Sequence, residues 1–110
     1  EVNAAVGMQD YQVNGAIMAL QGAEPAMLID LLEWQQPRDN ADPYPNLHRP
    51  GLARLALRSS DLHSDYAFLV AQGVDVLSEP ATVMSSANHG SRFFCFKDPD
   101  GTFLELVESF

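Results

Sequence analysis

A six-residue pattern occurs twice in this chain. Leu28-Ile29-Asp30-Leu31-Leu32-Glu33 aligns with Phe103-Leu104-Glu105-Leu106-Val107-Glu108, apolar residues flanking a carboxylate in both copies. Each copy follows a turn-rich stretch, so each reads as the closing strand of a hairpin. Between them, residues 35–50 carry four prolines, two aspartates and two asparagines. Proline fixes φ and removes a backbone donor, so that stretch continues neither strand nor helix and serves as a linker. Two copies of one hairpin around a linker point to a fold of paired, related modules.

The remaining elements complete only one of the two modules. Residues 13–20 and 27–34 read as the two strands of the first hairpin, with Gly22 and Pro25 in the turn. Residues 51–58 alternate in a period of two and form the next strand. Ser60 and Asp61 offer an N-cap to a helix over 62–72, whose Leu62, Tyr66, Leu69 and Val70 share one face, and Gly73 is placed to close it. A strand starts at 74–77, residues 80–90 form a polar loop or distorted hairpin, and 92–96 is a strand. Asp98-Pro99-Asp100-Gly101 is a turn, and 102–107 is the last strand. Residues 51–110 therefore read β-α-β-β-β, and residues 1–34 read as a remnant holding only the last two strands of such a unit. Residues 1–11 give no clear signal, and a helical turn and an irregular lead-in are equal alternatives. The sequence begins at Glu1 rather than methionine, which suits a processed or trimmed version of something longer.

At 110 residues the expectation is a single α+β domain. Fifteen acidic residues against six basic ones give a formal net charge of -9, which repels phosphate backbones and anionic membranes. Nucleic-acid and membrane partners are not expected. No apolar run approaches the roughly 20 residues that span a bilayer, and no secretory signal is visible, so a cytoplasmic location is the default expectation. Cys95 is the single cysteine, which excludes an intramolecular disulfide, and its Phe-Phe-Cys-Phe context reads as a buried strand position. There is no P-loop, nucleophile-elbow or dinucleotide-binding glycine pattern.

GLARLALRSSDL, the helix ending in Gln72-Gly73-Val74, and FFCFKDPDGTFLELVE together resemble the second βαβββ module of the glyoxalase, bleomycin-resistance and extradiol-dioxygenase (vicinal oxygen chelate) superfamily. VNAAVGMQDYQVNGAIMAL through LIDLLEWQQP resembles the end of a first module whose opening strand and helix are missing. The resemblance implies paired βαβββ modules forming a curved mixed-sheet cup. It also implies, in many members, a divalent metal (Zn, Ni, Fe or Mn) held by histidines on the first strands and glutamates on the last. Carried over, Glu105 matches the second module's carboxylate ligand, with a possible further role as general base, and Asp30 takes the equivalent place in the first. The second module's histidine position holds Arg54, whose guanidinium has no lone pair for a metal. Two of four ligands are thus missing or replaced.

On a period-two strand Arg54, Ala56 and Arg58 share a side, expected to be the cup side with Glu105 and Asp30. Arg54 is expected to pair with Glu105, and with Asp30 if it is within reach, keeping the carboxylates satisfied without metal. His89, beside Gly90 in a serine-rich loop, is the histidine placed to overhang a ligand; His48 and His63 read as surface or capping residues. Three readings are open. The leading one is a cup that binds a small organic molecule with no metal cofactor. The second is a metal-dependent lyase, isomerase or dioxygenase with further ligands upstream, and the third is a scaffold whose unpaired sheet edge makes a homodimer. The truncated first module points to a homodimer whichever applies.

Overall fold

The structure, a computed structural model, describes residues 5–52 and 54–110. Of the lead-in over residues 1–11, residues 1–4 lie outside the described residues, as does the strand position of Ala53; Ala5 and Val6 are helical, as one of the two alternatives has it, and Gly7 turns at φ 72°. The chain forms two compact units, residues 1–41 and 42–110, which part within the proline-rich segment.

The first unit is a two-stranded antiparallel sheet of β1 (Gln12–Ala19) and β2 (Leu28–Gln36). Its register sets Ile17 opposite Asp30 and Ala19 opposite Leu28. Gly22, at φ 78°, lets the loop turn back, and the Leu20 N–H donates to Met27 O at 3.1 Å to close it. The Tyr11 and Trp34 rings lie 5.6 Å apart near the opposite end. Ile17, Leu28, Leu31 and Leu32 are exposed.

The second unit follows the β-α-β-β-β order: β3 (Leu55–Arg58), α1 (Leu62–Ala71), β4 (Ala81–Met84), β5 (Gly90–Lys97) and β6 (Phe103–Ser109). Its sheet order is β3-β6-β5-β4, with β3 parallel to β6 and the other neighbours antiparallel. A parallel β3–β6 pair needs a crossover, and α1 begins it.

The helix start is fixed by its cap. Asp61 accepts from the Ser64 N–H at 3.1 Å and from the Ser64 hydroxyl at 2.7 Å. Both bonds hold the Asp61 carboxyl below the usual aspartate range, the hydroxyl bond most of all. Buried Ser59 ties this cap to the sheet, since its N–H donates to Val107 O and its hydroxyl accepts from the Asp61 N–H. Gly73, at φ 77°, ends the helix: its N–H reaches Val70 O while that of Val74 reaches Leu69 O.

Alternation along β5 and β6 divides the sheet into two faces. Phe94, Phe96, Leu104 and Leu106 lie on one, packed with Leu62, Tyr66 and Leu69 of α1. Tyr66 meets Phe94 edge-on at 5.3 Å. Val70, expected in this stripe, is instead 48% exposed, because it lies a further ~100° around the helix from Leu69. The opposite face carries Phe93, Cys95, Phe103 and Glu105.

One strand is displaced from its expected place. In 74–77 only Val76 makes a bridge, to Phe96, and the fourth strand of the sheet is Ala81–Met84, which pairs with β5 as the hairpin that was one of the two alternatives for residues 80–90. Val76 and Ala81 are five residues apart, yet they oppose Phe96 and Phe93, which are three apart. The excess is taken up around Ser78-Glu79-Pro80, where proline has no N–H for the ladder. Only Thr82 and Val83 of its four residues favour a strand, which left a loop and a hairpin as alternatives. The Asp98–Gly101 turn is as expected. Asp98 Oδ1 accepts from the N–H groups of Asp100 and Thr102 at 2.9 and 2.8 Å, and Gly101 takes φ 90°.

Candidate functional site

The β5–β6 register sets Cys95 opposite Glu105, and the parallel β3–β6 register sets Ala56 beside the same glutamate. Glu105 is thus held from both neighbouring strands, on the face away from α1. It is 7% exposed. A carboxylate so far from water needs partners, and it has two. Arg54, just before β3, brings Nε to 3.0 Å from Glu105 Oε2, the pairing expected from the sequence. The Cys95 thiol donates to the same oxygen at 3.8 Å, a long contact at the margin of sulfur hydrogen bonding.

The Cys95 thiol is pushed above its ordinary value, first by burial and then by the neighbouring Glu105 charge, with Arg54 opposing in part. It is a neutral donor at physiological pH, not a thiolate nucleophile. The arrangement is a chain of guanidinium, carboxylate and thiol. The guanidinium side chain is 45% exposed and that of the carboxylate 10%, so the cation faces solvent and the anion sits behind it. Chemically the pair can present N–H donors to an oxygen-bearing ligand.

The residues around Glu105 do not fit a divalent metal. Such an ion needs three or four lone-pair donors, whereas here one carboxylate oxygen is already engaged by a cation. Among the described residues no group of three or more His, Cys, Asp or Glu side chains gathers.

The other expected site residues are distributed as follows. Arg58 sits beside Val107, on the same side of β3 as Arg54, and is exposed. His89 lies at the β4–β5 hairpin, where its carbonyl accepts from the N–H groups of Ser85 and Ser86. It is exposed and six residues from Cys95 along β5, about 20 Å of extended chain, so the structure does not bring it to Glu105. Asp30 is an exposed residue of β2, in the first unit. Sequence reasoning missed Cys95 as a partner of Glu105. Counting outward from the Asp98–Gly101 turn would have found it, since that turn sets Lys97 opposite Phe103.

The family model of the Glyoxalase/Bleomycin resistance protein/Dioxygenase superfamily matches residues 14–106. Among solved structures, a glyoxalase family protein of Bacillus cereus superposes with a TM-score of 0.79 at 18% identity, over 98% of this chain and 69% of its own. A glyoxalase family protein from Enterococcus faecalis gives 0.52 at 25% identity, over 96% of this chain and 84% of its own. An integron cassette protein from the mobile metagenome of V. cholerae gives 0.52 at 23%, over 96% and 79%. No curated protein matches. These likenesses establish the fold, in which mixed sheets accompany a helix.

Proposed function

Because the chain belongs to the glyoxalase/bleomycin resistance protein/dioxygenase superfamily, whose members include both enzymes and binding proteins, the residues at the site must decide the chemistry, and we propose that it binds a small organic molecule without a metal. The observation that carries this reading is the Arg54–Glu105 ion pair at 3.0 Å. A guanidinium beside the carboxylate that matches the family's ligand position supplies the positive charge that a metal would otherwise bring, but in a form that donates hydrogen bonds and accepts no ligand lone pair. Arg54 binds ligand oxygens and Glu105 orients Arg54, with the Cys95 thiol a second, weaker donor to the same carboxylate oxygen. Arg58 adds a second cation on the same side of β3. Asp30 belongs to the same reading through its place in the repeat, as does His89 through its loop, though its distance from Glu105 gives it the weaker claim. The chain acts as a homodimer in this proposal, with the hairpin edges of the first unit meeting a second copy.

The test is a thermal-shift screen of small oxygenated organic acids and diols in the presence of chelator, on the wild type and Arg54→Gln. Ligands that raise the melting temperature in chelator and lose the effect in the variant support the proposal. Stabilisation that appears only on adding a divalent ion contradicts it and favours a metal-dependent enzyme. Light scattering gives the oligomeric state, and a monomer removes the homodimer from the reading.

A further inference from the structure

The proline-rich segment does more than join two modules. Within the second unit it folds over the β5–β6 turn and borders an open-sided pocket of about 480 Å³, with Tyr44 43% and Leu52 71% exposed at its rim, a volume within the ordinary range of small-molecule sites, roughly 300–1,000 Å³. Phe103, 5% exposed, contributes to its lining, with Tyr44, Leu52 and Pro43 adding apolar surface. Two glycines make this fold-over possible. A Cβ on Gly51 would fall 2.5 Å from the Tyr44 hydroxyl, and one on Gly101 would fall 3.3 Å from Pro43 Cγ. Both have positive φ, at 111° and 90°, and it is this backbone conformation that calls for glycine at each.

Two charges of opposite sign also line the cavity, those of Asp42 and Arg49. Among the described residues neither takes part in an ion pair, with the other or with any third group. Separate, opposite, unpaired charges beside an apolar lining match a ligand that carries both an ammonium and a carboxylate on an apolar body. We propose that this cavity binds an amino-acid zwitterion with an aromatic side chain: carboxylate on Arg49, ammonium on Asp42, ring against Phe103 and Tyr44. The proposal goes beyond the Arg54–Glu105 reading, since neither of those residues lines the cavity.

The test is a ¹H–¹⁵N shift titration of the full chain with three probes: phenylalanine, 3-phenylpropanoate, which lacks the ammonium, and 2-phenylethylamine, which lacks the carboxylate. Phenylalanine binds most tightly, with shifts at the Leu52, Thr102 and Phe103 amides, and loss of either charge weakens binding about fivefold, the scale of one solvated charge-assisted contact. Arg49→Gln weakens phenylalanine and 3-phenylpropanoate by a similar factor and leaves 2-phenylethylamine unchanged; Asp42→Asn gives the mirror result. Both side chains are exposed, so these variants keep the fold, which the spectrum itself reports. Equal binding of all three probes, or no shifts at these amides, overturns the proposal. Arg54→Met leaves the titration unchanged, so this inference and the metal-free site fail separately; an equal effect of Arg54→Met and Arg49→Gln also overturns it.

Discussion

Removing Arg54 and removing Glu105 should have unequal consequences. Arg54→Met keeps the length and much of the packing of the side chain but leaves Glu105, whose side chain is 10% exposed, without its cation. Breaking a fully buried ion pair from one side costs about 3–5 kcal/mol, while an exposed pair is worth about 0–1 kcal/mol. Arg54 is 45% exposed, so solvent already screens the pair and the cost falls between these limits, at about 2 kcal/mol. Glu105→Gln instead leaves a guanidinium that water can solvate, and costs about 1 kcal/mol or less. The double variant Arg54→Met/Glu105→Gln removes the stranded charge and recovers to within about 1 kcal/mol of wild type. Urea unfolding followed at 222 nm measures all four proteins, since α1 belongs to the same unit as the pair. If Arg54→Met lies within about 0.5 kcal/mol of wild type, or the double variant is no better than the single, the pair does not hold this site together.

Leu62→Ala should cost about 2–5 kcal/mol, because Leu62 is 1% exposed and packs between α1 and the sheet; the same urea curves report it. Asp61, lowered by its Ser64 bonds, should contribute stability that is present above the usual aspartate range and lost as pH falls through its own lower value. Ser64→Ala should flatten that acid limb in melting temperature against pH. For Cys95 the sign is reversed: a raised thiol contributes stability that is full below the ordinary thiol range and lost as pH rises through its folded value. The alkaline loss should disappear in Cys95→Ala, and the native thiol should react with iodoacetamide far more slowly than in urea.

Much of the second unit was legible because local signals and tertiary packing agree there. The Asp61 cap, the Leu62–Tyr66–Leu69 stripe, Gly73 and the Asp98–Gly101 turn each obey a rule of short range. The fourth strand was legible only as the hairpin alternative for residues 80–90, since β4 has four residues and its ladder is set by β5 rather than by its own pattern. Val70 was misread because a helical stripe is narrow and its edge depends on what packs against it. At the site, the resemblance to the family singled out Glu105 and Arg54 as the positions of its ligands, and period-two alternation then put Arg54 on the side of Glu105. The Cys95 contact needed the cross-strand register. The cavity walls at Asp42, Tyr44 and Arg49 were hidden because proline-rich sequence specifies where a chain bends but not what it bends over.

In the proposed site Arg54 stands where a metal ligand would. Metal analysis of wild-type protein purified without chelator, together with melting temperatures in Zn, Ni, Mn and Fe, tests it most directly. With Arg54 in that place, metal should be substoichiometric and no single ion should raise the melting temperature. One bound ion per chain, or a rise with a single ion that Glu105→Gln abolishes, would contradict it.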